Sequence, residues 1–89
     1  MKRVKIFTLK NKLGLHARAA AKIVDVLGRY DARVLLAKDG EKIDGRSILE
    51  ILTLACPMGG HLTVEAEGAD ADGVVRELEK LIEDKFGEE

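Results

Sequence analysis

Residues 32–44 have the sequence ARVLLAKDGEKID, which is the pattern of a β-hairpin. Residues 32–37 are short, apolar and strand-like, and Glu41 to Asp44 provide the return strand. Asp39 and Gly40 lie between them, and a type I′ turn needs residues that accept positive φ at both central positions. The stretch therefore predicts two antiparallel strands near the middle of the chain.

Strand and helix patterns flank this hairpin on both sides. Residues 3–9 alternate as a strand, and a helix is expected from Ala17, ending near Gly28 as a left-handed cap. After the hairpin, Ser47 and Glu50 form a capping box that predicts a second helix. Residues 62–66 then alternate as a half-buried strand, and Asp70 can cap a third helix.

Each predicted helix has an apolar stripe that would pack on a sheet. The resulting order, β-α-β-β-α-β-α, favours an α+β open-faced β-sandwich, a four-stranded antiparallel sheet covered on one face by three helices. The three stripes are Ala20, Ile23, Val24 and Leu27; Ile48, Ile51, Leu52 and Ala55; and Val74, Val75, Leu78, Leu81 and Ile82.

Composition limits the classes of protein to consider. The chain has 89 residues, of which 46% are hydrophobic, enough for one small core and hence a single domain over residues 1–89. A formal net charge of −1 and an aromatic content of 3% argue against a nucleic-acid-binding protein. We expect no membrane span, no metal site and no cofactor. The lone Cys56 is typical of a reducing compartment, so we expect a cytoplasmic protein.

Residues 14–18, Gly-Leu-His-Ala-Arg, carry the chemistry that the sequence offers. They place His16 at or near the N-cap of the first helix, where unpaired amides and the helix dipole favour a phosphate. Imidazole is a nucleophile, and Arg18 can bind the same phosphate. Gly14 would let the backbone of another protein come close. A polar helix cap alone would also explain His16, so both interpretations stay open.

The stretch from Asn11 to Lys22, NKLGLHARAAAK, resembles the active-site region of HPr, the histidine-containing phosphocarrier family of the bacterial phosphoenolpyruvate phosphotransferase system. The resemblance extends over nearly the whole chain and includes Gly45 to Leu49. It implies that His16, through Nδ1, accepts phosphate from enzyme I and passes it to enzyme II (IIA) proteins. Arg18 would neutralise the phosphate. The chain would then be a carrier and a substrate of enzymes, not an enzyme itself, and we expect a monomer.

The family's second site is a serine that opens the second helix, and Ser47 matches it. In some bacteria a dedicated kinase phosphorylates this serine, so the resemblance adds a serine kinase or phosphorylase as a partner. Phosphoserine at a helix N-terminus is electrostatically favourable, so its effect would fall on docking. Helix capping alone also explains Ser47.

A docking surface and two departures from the family pattern complete the predictions. We expect partners to contact a patch that contains Ile48 and Leu49, with a basic rim formed by Arg18, Lys22 and Arg46. The family usually has proline where this chain has Ala19, and many members lack the cysteine and proline of residues 56–60. Cys56 is expected to be a semi-buried apolar residue, and His61 a surface residue that begins a strand.

A second class of function uses the same fold without covalent chemistry. A non-covalent regulatory module, in a nitrogen-type or catabolite-control relay, would act by protein binding. His16 discriminates the two classes because a purely regulatory protein does not need that histidine.

Overall fold

A computed structural model describes residues 1–88. Four strands form one antiparallel sheet in the spatial order β1-β4-β2-β3, with three helices packed on it. The predicted open-faced sandwich is confirmed. The elements are β1 (Lys2–Thr8), α1 (Ala17–Leu27), β2 (Arg33–Lys38), β3 (Glu41–Asp44), α2 (Ile48–Thr53), β4 (His61–Glu67), α3 (Ala71–Glu83) and a C-terminal 3-10 turn (Lys85–Gly87).

Strand β4 lies inside the sheet and pairs with β1 on one side and β2 on the other. Its alternate residues Leu62, Val64 and Ala66 are fully buried beneath the helices. Glu65, on the opposite face, forms an ion pair with Lys42, in which Lys42 Nζ donates to Glu65 Oε2 at 2.9 Å. This hydrogen bond outweighs the desolvation of the carboxyl group and lowers the pKa of Glu65. The alternation thus buries one face of the sheet and leaves the other open.

The hairpin between β2 and β3 forms as the sequence predicts. Lys38 pairs with Glu41, which leaves a two-residue loop. Asp39 and Gly40 have φ values of 52° and 84°, the positive angles that a type I′ turn requires. The strand register therefore follows from the turn residues.

Several local expectations about the helices are wrong. Gly28 ends α1 with φ −65° and ψ −15°, a right-handed conformation, because its amide continues the helical pattern by donating to the carbonyl of Val24. Helix α2 ends at Thr53, and Ala55 leaves the predicted stripe with φ 50° and an exposed side chain. Leu54 takes the buried position instead.

The predicted caps also form only in part. Ser47 Oγ accepts from the Glu50 amide at 3.2 Å, but the Glu50 carboxylate accepts from Asp44 N and not from Ser47 N. Asp70 occupies the N-cap position of α3, but its side chain makes no hydrogen bond to the first turn of the helix. Its carboxylate instead accepts from the Asp31 amide at 2.6 Å. Each carboxylate thus accepts from the amide of a residue that precedes its helix in the chain. Within residues 1–88, no helix combines the length and the apolarity needed to span a membrane.

Candidate functional site

The predicted position of His16 at the start of α1 is confirmed. His16 is the N-cap residue, with extended backbone angles (φ −95°, ψ −179°). Its carbonyl accepts from the Ala20 amide at 2.9 Å, the first bond of the helix. Its ring atom Nδ1 accepts from the backbone amide of Arg18 at 3.2 Å. The side chain therefore caps α1 and holds Nδ1 at the positive end of the helix dipole.

The other ring nitrogen, Nε2, contacts the carboxylate of Glu88, and this contact was not predicted. Both side chains are half-buried, with 24% of His16 and 15% of Glu88 exposed. Asn11, which is fully buried, donates from Nδ2 to Glu88 Oε1 at 3.2 Å and to the Gly14 carbonyl at 2.8 Å. Desolvation raises the pKa of Glu88, but the hydrogen bonds from Asn11 and His16 outweigh it, so the net pKa is lowered.

These partners define the tautomer of a neutral His16 ring. An ionised carboxylate can only accept hydrogen bonds, and the Arg18 amide can only donate one. The hydrogen-bond partners therefore assign the proton to Nε2 and the lone pair to Nδ1. Nδ1 is then the nucleophilic nitrogen of the ring.

The loop before His16 rests on residues of its own chain. Leu15 N donates to the Cys56 carbonyl at 2.8 Å, and Gly14 has φ 63°. A Cβ on Gly14 would lie within 3.0 Å of three backbone atoms, of which the nearest is the Cys56 carbonyl oxygen and another is Pro57 Cα at 2.8 Å. The expectation that Gly14 makes room for another protein is therefore wrong, because the backbone of residues 56–57 already fills that space.

The loop of residues 56–60 forms backbone hydrogen bonds with Leu9 and with Leu15 of the loop before His16. Gly59 N donates to the Leu9 carbonyl at 2.8 Å, and Leu9 N donates to the Gly60 carbonyl at 3.0 Å. Cys56 packs in the core as the expected small apolar residue but is fully buried, not semi-buried, and burial raises the pKa of its thiol. The prediction for His61 is also confirmed, since it begins β4 and is exposed.

Arg18 has an exposed side chain beside His16. With Lys12, Leu13, His16 and Glu88 it lines a shallow surface depression. Among residues 1–88 no carboxylate forms an ion pair with Arg18. The depression therefore presents an unpaired guanidinium next to an imidazole at a helix N-terminus, an arrangement that can hold an oxyanion.

The structure does not bring the three cations of the expected basic rim together. Lys22 Nζ donates to the Phe86 carbonyl and is half-buried. Arg46 donates to the carbonyls of Tyr30 and Ala32, at 3.3 and 3.1 Å, beyond the C-terminal end of α1. Since α1 has 11 residues and rises about 1.5 Å per residue, Arg46 lies at the opposite end of a helix roughly 16 Å long.

The apolar residues of the expected docking patch are exposed. Leu49 is 78% exposed and lies off the buried side of α2, and Ile48, at 39% exposed, also leaves the apolar stripe predicted to pack on the sheet. Two further large apolar side chains, Leu13 and Met58, are also exposed. Leu13 lines the depression, and Met58 belongs to the 56–60 loop. Their role in docking stays a prediction.

Sequence reasoning missed Asn11 and Glu88 as residues of the site. Asn11 enters the sequence analysis only as the first residue of the stretch that resembles the HPr active-site region, and Glu88 lies 72 positions after His16. No periodicity connects positions so far apart. The basic residues 10, 12, 18 and 22 offered one indirect signal, because a cluster of cations attracts a carboxylate from elsewhere in the chain.

Comparisons with known proteins agree on one family. The family model described as "PTS HPr component phosphorylation site" matches residues 4–84. The phosphocarrier protein HPr of Pseudomonas aeruginosa is 44% identical over 82 residues, 91% of each chain. The chain is similar to the solved HPr-C-His from Thermoanaerobacter tengcongensis, with a TM-score of 0.93, 37% identity and 98% of both chains covered. A solved HPr dimer from that organism matches with a TM-score of 0.77 and 39% identity, over 99% of this chain and all of that one.

Proposed function

The chain belongs to the HPr family of phosphocarrier proteins, and we propose that it carries a phosphoryl group on Nδ1 of His16. The group would come from phospho-enzyme I and pass to enzyme II (IIA) proteins of the phosphotransferase system. In this role the chain is a carrier that enzymes act on. We also propose that residues 1–89 form a single domain, and a cytoplasmic location stays a prediction.

The observation that carries the proposal is the hydrogen bonding of the His16 ring. With its proton on Nε2, the ring keeps a lone pair on Nδ1, beside the first amides of α1. In the transfer, this lone pair forms the nitrogen–phosphorus bond while the bond between phosphorus and the donor breaks, and the donor takes that electron pair. The Arg18 amide, released from Nδ1, can donate to a phosphate oxygen.

Arg18 is proposed to neutralise the bound phosphate. Its guanidinium is exposed, lines the same depression as His16 and can form two parallel hydrogen bonds to phosphate oxygens. The weaker screening at a half-buried site increases this attraction. Ala19, which stands where the family usually has proline, is buried on the core side of α1 and therefore leaves the depression unchanged.

Phosphorylation of Ser47 by a serine kinase is a second, regulatory part of the proposal. Ser47 Oγ is half-buried at the start of α2 and accepts from the Glu50 amide. A phosphate there would be stabilised by the helix N-terminus and repelled by the nearby carboxylates of Asp44 and Glu50. With these effects opposed, we expect the fold to persist and the added negative charge to weaken docking near Ile48 and Leu49.

The monomeric state is proposed from the family role. A carrier that meets several partners in turn needs a free site and weak contacts. The matching HPr dimer from Thermoanaerobacter tengcongensis shows that a related chain can also pair. Light scattering at micromolar concentration is expected to give the mass of one chain, and a mass of two chains would contradict this part.

Phosphorylation with phosphoenolpyruvate and an enzyme I tests the central proposal. The wild-type protein should take up one acid-labile, alkali-stable phosphate, and His16→Ala should take up none. His61→Ala provides the matched control, because it removes the other histidine at the exposed start of β4. If His16→Ala takes up phosphate at the wild-type rate, or if His61→Ala takes up none, His16 is not the carrier.

The same experiment discriminates the regulatory alternative. A non-covalent module would take up no phosphate from an enzyme I that labels a known phosphocarrier in parallel. The geometry favours the carrier, because a module that only binds partners has no need of an imidazole with both ring nitrogens held by hydrogen bonds.

A further inference from the structure

Lys12 is a cation of the site that the proposed function has not yet used. With His16 and Arg18 it lines the shallow surface depression, and its side chain is exposed. Two other basic residues of this segment are already engaged, since Lys10 forms an ion pair with a carboxylate of α3 and Lys22 donates to a backbone carbonyl. Within residues 1–88, neither Lys12 nor Arg18 has an ion-pair or hydrogen-bond partner for its head group. These two cations are therefore the ones that remain available to a ligand of the depression.

The backbone that carries Lys12 is held by hydrogen bonds. Gly14 N donates to the Asn11 carbonyl at 3.1 Å, which closes a turn around Lys12. The buried Asn11 side chain donates to the Gly14 carbonyl at 2.8 Å, and the next amide, of Leu15, donates to the Cys56 carbonyl at 2.8 Å. Because these bonds fix the turn, the Lys12 side chain starts from a constant place at the edge of the depression.

The charges of the depression favour an anion with more than one negative charge. The carboxylate of Glu88 already has a partner at each oxygen, Asn11 and His16. It therefore leaves the charges of Lys12 and Arg18 uncompensated. Two such cations in one depression repel each other, and an anion between them removes that repulsion. A phosphorylated side chain carries about 1.5–2 negative charges at neutral pH, which two cations match better than one.

We propose that Lys12 is a second phosphate-binding cation and a catalytic residue of the transfer, with Nζ donating to oxygens of the phosphoryl group that His16 receives. This inference rests on the proposed function. The Nδ1 lone pair forms the bond to phosphorus while the bond from phosphorus to the donor breaks, and the donor keeps that electron pair. Lys12 keeps all its protons and acts by its charge. The negative charge of the transferring group spreads over three equatorial oxygens, and an ammonium group beside them stabilises the transition state.

Lys12 and Arg18 suit different parts of the transfer. The planar guanidinium of Arg18 can form two parallel hydrogen bonds, which fix one orientation of the bound phosphate. A lysine ammonium is a point charge with three donors on a flexible stem. Lys12 can therefore follow the phosphorus as it passes from the donor to Nδ1 of His16, while the fixed turn keeps it at the depression.

An exposed cation can also act at a distance, by attracting an acidic partner protein. That role would change the rate of encounter, and with it the half-saturating concentration of the carrier, and salt would screen it. Contact with the phosphoryl group instead changes the maximal rate of transfer. The depression that Lys12 shares with His16 favours contact.

Single-turnover transfer from a phosphorylated enzyme I to the full chain tests the inference. We expect Lys12→Gln to lower the maximal rate about tenfold, less than the roughly 10²–10³-fold loss of a buried oxyanion donor, because solvent screens an exposed charge. The half-saturating concentration of the carrier should stay unchanged. Lys12→Arg keeps the charge and should recover most of the rate.

Lys80→Gln is the matched control. Lys80 is an exposed lysine of α3 outside the depression, and it forms no ion pair within the described part of the chain. Its removal changes the net charge by the same amount, so its maximal rate should equal that of wild type. Circular dichroism should give the same Tm for both glutamine variants, since both lysines are exposed.

Phosphorus-31 NMR of the phosphorylated protein gives a readout that an encounter role would not move. The phosphohistidine resonance should shift in Lys12→Gln and stay in place in Lys80→Gln. A wild-type maximal rate and an unmoved resonance in Lys12→Gln would overturn the inference. A loss confined to the half-saturating concentration, which disappears at high salt, would overturn it as well. If wild type itself takes up no phosphate, the proposed function fails, which separates the two failures.

Discussion

Replacing Gly14 with alanine should destabilise the fold far more than the same replacement at Gly40 or Gly28. Two costs combine at this position. The residue has φ 63°, where a side chain costs roughly 1–2 kcal/mol. The new Cβ would also press on the backbone of Cys56 and Pro57, and such overpacking typically costs about 1–3 kcal/mol. Together they give about 2–5 kcal/mol.

That loss is large for a chain of this size. A domain of 89 residues has a free energy of unfolding of about 4–13 kcal/mol. Each kcal/mol lowers the Tm by about 4–8 °C in a domain this small. We therefore expect Gly14→Ala to unfold about 8–40 °C below wild type. Because Leu15 N bonds to the Cys56 carbonyl, the loop that leads to His16 should move as well.

Two other glycines separate the two costs. Gly40 has φ 84° with nothing near its missing Cβ, so Gly40→Ala should lose only the roughly 1–2 kcal/mol of the backbone term. Gly28 has φ −65° and ordinary contacts beyond 3.5 Å, so Gly28→Ala should be neutral or stabilise by about 0.4–1 kcal/mol. Urea and thermal unfolding followed by circular dichroism measure all three variants.

The order of the three variants tests the reasoning. The expected order, from the most to the least stable variant, is Gly28→Ala, Gly40→Ala and Gly14→Ala. If Gly14→Ala loses no more than Gly40→Ala, the contact with the 56–57 backbone carries no cost, and the explanation for the glycine before His16 is wrong.

Four further predictions concern the docking patch, the C-terminal 3-10 turn (Lys85–Gly87), acid stability and the buried thiol. Leu49→Glu should slow phosphoryl exchange by about tenfold, or about 1.4 kcal/mol, without lowering the Tm; unchanged exchange removes the patch. Phe86→Ala should cost about 3–5 kcal/mol of stability in urea unfolding, because Phe86 is fully buried; a loss below about 1 kcal/mol would mean that Phe86 does not anchor the C-terminal 3-10 turn. The lowered pKa values of Glu65 and Glu88 stabilise the fold at pH values above the ordinary pKa of glutamate, about 4.3. That contribution is lost as the pH falls through the lowered pKa values of the folded state, so the Tm of the wild-type protein should drop. The Tm of Glu65→Gln should drop less over the same pH range. Cys56 should react much more slowly with an aromatic disulfide reagent in the native protein than in denaturant, since burial raises its pKa; equal rates would contradict its burial.

The sequence by itself determined the features that depend on neighbours along the chain. Asp39 and Gly40 specify the hairpin because their φ angles are a local property of the turn. The alternation of residues 62–66 specifies which face of β4 is buried. The position of His16 at the start of α1 follows from the same local patterns. These features could be predicted because turn chemistry and periodicity act over a few residues.

Only the tertiary structure decided what surrounds His16. Glu88 contacts the His16 ring and Asn11 although 72 and 77 positions separate it from them, and no pattern in the sequence encodes contacts of that range. The reason for Gly14 likewise became visible only once residues 56–57 packed against it. The sequence predicted Arg46 beside His16 because it follows the family pattern, but the structure places Arg46 at the far end of α1. The physical reason is that such contacts depend on how the whole chain packs, which residue types and spacing leave open.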